Sequence, residues 1–150
     1  MKPTPAEVPK RQLREIEVAD YTVHQSHFSM RCLESLGANP NRMIHLPLGG
    51  DMRRFSPRES RPAGSPFVVL FLGQIQLRKG IHHLLEAWSE WNPPDAKLIL
   101  VGACTDPDVR PFLDRHKGCF EWRGFVPGDA LPDIYRSADA FVVPSLAEGG

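Results

Sequence analysis

Two short stretches carry residue types suited to a phosphorylated ligand. GQIQLRKG, residues 73–80, is a glycine-bounded turn with two cations, lying between an apolar run and an amphipathic one. Gly73 lets the backbone bend close to a ligand. A helix starting near Lys79 would present unpaired amides and a partial positive charge. Lys79, with Arg78 beside it, would neutralise charge on a departing diphosphate, a role that a metal ion plays in other phosphate-handling enzymes. Two solvated side chains at a helix start explain the same letters, at the cost of a mildly unfavourable helix dipole. The stretch has neither the P-loop spacing nor the GxGxxG dinucleotide spacing.

The second stretch is PSLAEGG, residues 144–150. Ser145 and Glu148 are polar groups after an apolar run, and Gly149 with Gly150 allow close backbone approach. A carboxylate there can accept hydrogen bonds from sugar hydroxyls. An ordinary turn leading into a helix is the alternative. A third loop, GFVPGD at 124–129, flanks Val126 with glycine and proline, so that the backbone of Phe125, Val126 and Pro127 would meet a flat base. A plain turn with a helix cap remains open for it. The six histidines show no metal-ligand spacing. Adjacent His82 and His83 should point to different helix faces, and all six are read as surface or partner-contact residues. No metal site is expected.

Elements must position these loops. Leu13, Ile16 and Ala19 repeat at helical spacing, and residues 21–24 and 42–46 read as strands. Between them Ser26 caps a helix with Phe28, Cys32, Leu33 and Leu36 on one face, which Gly37 ends. Residues 51–66 are rich in glycine, proline, arginine and serine and read as an interdomain linker, with Arg53 and Arg54 solvated. From Phe67 the pattern becomes strand, helix, strand, helix, strand, helix, strand. The strands are residues 67–72, 97–101, 119–123 and 140–143. The first helix carries Ile81, Leu84, Leu85, Trp88 and Trp91, Pro111 opens the second, and Asp129 caps the third, with Leu131, Ile134, Tyr135 and Ala138 buried. Trp88, Trp91 and Phe112 are read as packing residues. This alternation is that of a doubly wound α/β domain, a Rossmann-like parallel sheet whose ligands sit at the carboxyl ends of its strands.

The 150 residues are 41% hydrophobic and 24% charged, with formal net charge zero. A soluble globular chain follows, and no overall field draws it to nucleic acid. Three widely spaced cysteines suggest free thiols in a reducing compartment. No stretch is apolar enough for a signal peptide or a membrane span. The expected location is the cytoplasm, with peripheral contact at the inner membrane face left open because it needs only a surface patch.

Taken together and in order, ADYTVHQSHF, MIHLPLGGDMRRFSP, VVLFLGQIQLRKGIHHLLEAW, KLILVG, WRGFVP and IYRSADAFVVPSLAEGG resemble the retaining glycosyltransferases of the GT-B fold known as group 1 or family 4. The resemblance implies residues 1–50 as the tail of an amino-terminal acceptor-side domain and 67–150 as the first part of a nucleotide-sugar domain. By position, Lys79 matches the lysine on the donor diphosphate. Glu148 matches the first glutamate of a pair facing the donor sugar, with Gly149 and Gly150 cradling sugar and phosphate. Phe125, Val126 and Pro127 match the loop beside the base, and Gly73 the first donor-domain turn. The family usually has arginine where this chain has Gln74, and Arg78 would compensate if its side chain folded back. The second glutamate falls beyond residue 150, so the expectation is a fragment, inactive alone. The implied partners are a nucleoside-diphosphate-sugar donor and an acceptor that is a saccharide, a lipid-linked molecule or a small molecule, with no metal or other cofactor. A nucleotide-sugar epimerase of the same architecture and a non-catalytic binding module are the alternatives.

Overall fold

The computed structural model describes residues 7–61 and 63–148. The chain divides between Gly49 and Gly50 into two compact units. The first contains α1 (Glu7–Val18), β1 (Thr22–His24), α2 (His27–Ser35) and β2 (Met43–His45). Helix α1 starts earlier than the apolar spacing from Leu13 suggests. Pro9 falls in its first turn, where a missing N–H costs no intrahelical bond. Strands β1 and β2 are parallel, with His24 opposite His45. The Ser26 hydroxyl accepts the Ser29 N–H at 3.1 Å and caps α2, and Gly37 follows the helix at φ +93°.

Two expectations for this unit need correction. Phe28 and Leu36 are 68% and 63% exposed, and Cys32 is exposed as well. The half-buried positions of α2 are Ser29, Met30 and Leu33, because the helix lies on a sheet of two strands with that narrower stripe inward. His24 is buried rather than on the surface. Its Nε2 lies 2.7 Å from the Thr22 hydroxyl, two residues back on the same side of the strand.

The second unit alternates β3 (Phe67–Leu72), α3 (Ile81–Trp91), β4 (Ala96–Val101), α4 (Arg110–Arg115), β5 (Glu121–Trp122), α5 (Leu131–Arg136) and β6 (Ala140–Phe141). Its strands form one parallel sheet in the order β5-β4-β3-β6. Successive residues of β3 and β4 point to opposite faces, and both faces are covered, which is why these strands read as unbroken apolar runs. Phe71, Leu98 and Leu100 pack with Ile81, Leu85 and Trp88 of α3 and Leu113 of α4. Leu70, Ile99 and Val101 pack on the other face with Val126, Ile134 and Ala138. Each such aliphatic side chain, fully withdrawn from water, contributes about 1.5–3 kcal/mol.

Corrections here concern residues at element ends. Trp91 is 66% exposed. As the last residue of α3 it rests edge-on against Trp88, with ring centroids 5.5 Å apart, instead of on the sheet. Asp129 caps nothing. It lies inside a single 3-10 turn, Gly128–Ala130, and Pro132 in the first turn of α5 supplies a preset φ where a side-chain cap was expected. Arg54 instead donates to the Asp129 carboxylate at 3.3 Å and to the Gly128 carbonyl at 3.1 Å. Residues 51–66, read as a linker, cluster with this unit. Phe55 packs edge-on against Tyr135, and Arg58 pairs with Asp139.

Candidate functional site

The sheet order determines where a ligand can sit. From β3 the chain steps outward through β4 to β5, then returns to place β6 on the opposite flank of β3. Such a reversal opens a crevice at the carboxyl ends of the two strands that flank it. The loops leaving β3 and β6 contain GQIQLRKG and PSLAEGG, the two stretches singled out by their chemistry.

The loop after β3 is held from below. Ile75, fully buried, donates its N–H to the Ala103 carbonyl at 2.9 Å. Leu77 donates to Asp106 Oδ2 at 3.0 Å, and Gln76 Nε2 donates to the Thr105 hydroxyl at 2.7 Å. A 3-10 turn, Leu77–Lys79, then delivers Gly80 at φ +71° into α3. A Cβ at Gly80 would lie 2.0 Å from the Pro144 carbonyl oxygen, so only glycine lets the two loops approach this closely. Asp106 was not singled out from the sequence. An Asp-Pro pair ahead of a helix is the signal for it, since Asp106 also caps its own turn by accepting the Asp108 N–H at 3.1 Å.

Four groups converge above this floor. Lys79 Nζ lies 2.5 and 2.7 Å from the two carboxylate oxygens of Glu148. Arg78 Nη1 donates to the Ala147 carbonyl at 2.9 Å and lies 3.8 Å from Glu148 Oε2. The Arg78 carbonyl accepts the Leu146 N–H at 3.0 Å. The hydrogen bond from Lys79 is the main cause holding the Glu148 carboxyl below the usual carboxylate range. The neighbouring Ser145 hydroxyl acts in the same direction and desolvation opposes them. That buried hydroxyl lies near enough to favour the anion, yet makes no well-formed hydrogen bond. The first-turn amides of α3 have no acceptor within the helix, so its positive end adjoins the same cluster.

The other site candidates stand apart from this cluster. Gln74 is exposed on the β3 loop. Phe125 is 76% exposed after β5, Val126 packs into the second core cluster, and Pro127 is exposed. The roots of three loops are tied together nevertheless. Gly73 donates to the Val101 carbonyl at 2.9 Å, and Gly102 donates to the Gly124 carbonyl at 2.7 Å. Gly102, at φ +141°, would place a Cβ 1.8 Å from the Gly73 oxygen. Gly149 and Gly150 lie outside the described residues. His82 and His83, expected on different faces, have ring centroids 3.9 Å apart, and His82 also packs on Phe112. Burial, and then His83, lower the His82 pKa, while Glu86 opposes them. Among the described residues no grouping of three or more metal-ligating side chains occurs. Nor is any helix among them long and apolar enough to cross a membrane.

A family profile described as glycosyl transferases group 1 matches residues 66–150. The chain belongs to this family. A D-inositol 3-phosphate glycosyltransferase of Rhodococcus erythropolis is 32% identical over 161 residues, covering 92% of this chain and 36% of that protein. An uncharacterized glycosyltransferase of Methanocaldococcus jannaschii is 37% identical over 90 residues, covering 54% of this chain and 22% of its own length. The group 1 chain described here thus spans well under half of these relatives. Its fold is similar to that of Anabaena HepE, crystallised with UDP-glucose, at TM-score 0.73 and 19% identity, over 96% of this chain and 44% of that one. The architecture is that of GT-B glycosyltransferases, with the Rossmann-like sheet expected from the sequence.

Proposed function

We propose that this chain carries the donor side of a retaining glycosyltransferase that takes its sugar from a nucleoside diphosphate. The observation that carries the reading is the placing of Lys79 against Glu148 at the sheet's reversal point. A phosphate-binding cation and a sugar-orienting carboxylate then occupy one crevice. In the reaction the bond from the anomeric carbon to the diphosphate oxygen breaks, and Lys79 with the first amides of α3 takes up the charge left on that oxygen. The acceptor hydroxyl attacks on the same face, and its proton passes to the departing diphosphate. Glu148 orients the sugar through its hydroxyls. Charge supplied by Lys79 and the helix does the work for which other enzymes use a divalent cation. Phe125, Val126 and Pro127 lie beside the base, and the acceptor is a saccharide, lipid-linked or small molecule.

The relatives described above are named as glycosyltransferases, which favours transfer over epimerisation, and HepE was crystallised with UDP-glucose, which supports a nucleotide sugar as the ligand. Titration calorimetry with UDP and UDP-glucose tests the reading. The chain should bind both, and Lys79→Ala should weaken both by roughly tenfold to a hundredfold, the range for a charge-assisted hydrogen bond, with Tm unchanged. Absence of binding by the unsubstituted chain would remove the donor-site assignment.

A further inference from the structure

Arg78 lies next to the diphosphate lysine, and a role as replacement for the cation missing at Gln74 would be the simple expectation. Its geometry suits a different task. One residue holds backbone groups of two consecutive residues of the opposite loop: its carbonyl accepts the Leu146 N–H at 3.0 Å and its guanidinium donates to the Ala147 carbonyl at 2.9 Å. Lys79 takes the carboxylate of the very next residue, Glu148. The Arg78 guanidinium is 3.8 Å from that carboxylate, within ion-pair range but too far for a hydrogen bond. The two neighbours therefore divide the work, Arg78 gripping the backbone and Lys79 the side chain. The guanidinium is thereby turned towards the 146–148 loop.

We infer that Arg78 is a positioning residue, which clamps residues 146–147 so that Glu148 faces the sugar of the donor, and is not itself a diphosphate ligand. This rests on the donor-site reading above and deepens it. The planar guanidinium suits the task because its Nη1 donates to the carbonyl while staying within ion-pair range of Glu148, whereas a lysine would offer a single flexible point of attachment. Arg78 belongs to neither core cluster, so its replacement should leave a folded chain.

Two measurements on the full chain with Arg78→Ala test the inference. Hydrogen exchange of the Leu146 amide, followed by NMR, should accelerate about tenfold, although its backbone acceptor at position 78 is retained. Calorimetry should show UDP affinity within twofold of the parent and UDP-glucose affinity reduced about fivefold, with part of that loss restored in Arg78→Lys. Equal weakening for UDP and UDP-glucose would overturn the inference by making Arg78 a diphosphate ligand. Unchanged Leu146 exchange would overturn it by making the side chain merely solvated. If the parent chain binds neither nucleotide, the donor-site reading and the sugar-facing role fall together. The exchange result then still decides whether the clamp exists.

Discussion

Both ends of the β3/β6 pair carry a carboxylate held by cations, and the two are built for different purposes. At the amino end, Asp139 is 7% exposed and accepts the Val68 N–H at 2.8 Å. It returns its own N–H to the Val68 carbonyl at 2.8 Å, pairs with Arg58 and has Arg61 at 3.7 Å. At the carboxyl end, Glu148 is 39% exposed and is held by side chains alone, chiefly Lys79. A carboxylate bonded to backbone completes the sheet and has no other partner to take. One bonded to a flexible ammonium can exchange that partner for a ligand. Backbone involvement and exposure, not the presence of an ion pair, separate a staple from a site.

The largest test of this contrast acts on the carboxyl end. Gly80→Ala forces a Cβ against the Pro144 carbonyl at positive φ. It should cost roughly 2–5 kcal/mol in urea unfolding, from left-handed backbone strain and overpacking together. A neutral result would mean that the two loops are not seated on each other. Next, Asp139→Asn should lower Tm by less than the glycine change yet leave UDP-glucose affinity in place, while Glu148→Gln should leave Tm in place and weaken UDP-glucose, the ligand that carries the sugar. If both substitutions moved the same observable, the distinction between staple and site would fail.

Acid sharpens the comparison further. The Val68 N–H first, then Arg58 and Arg61, hold the Asp139 pKa below its ordinary value. Its contribution to stability is therefore complete above the ordinary value of about 3.9, and it fades as pH falls through the lowered one. The Tm difference between parent and Asp139→Asn should be widest at neutral pH and close progressively below about pH 4. A gap constant to lower pH would show that the carboxylate charge is not what holds β6. The smallest effect expected is a gain. Gln74→Arg restores a cation on the exposed β3 loop and should tighten UDP binding by about twofold to fivefold, as a partly solvated charge contact does.

How much of this was legible follows from how local each cause is. The runs of β3 and β4 declare themselves because a strand buried on both faces has no polar positions, and Ser26 and Gly37 announce the ends of α2 by their own chemistry. Lys79 and Glu148 were legible because each sits on a loop after a strand, so the alternation of elements sends both to one end of the sheet. Asp139 was missed because its partners lie 71 and 81 residues away. The only local hint was an acid set directly before a short apolar strand. Asp129 was misread for a similar reason, since Arg54, 75 residues distant, takes the carboxylate that would have served as a cap. His24 was legible only as one of six scattered histidines, and the alternation within β1 sets it beside Thr22 on the same side of the strand.

Trp122 gives the molecule its own optical gauge. Its indole N–H donates to the Gly102 carbonyl at 2.9 Å, and the ring is 40% exposed beside the roots of the β4 and β5 loops. The other two tryptophans, Trp88 and Trp91, lie edge to face on α3. A spectrum taken before and after Trp122→Phe therefore divides the emission into a part that follows the loops at the carboxyl edge of the sheet and a part that follows α3. Occupancy and unfolding can then be read from one sample without attaching a dye.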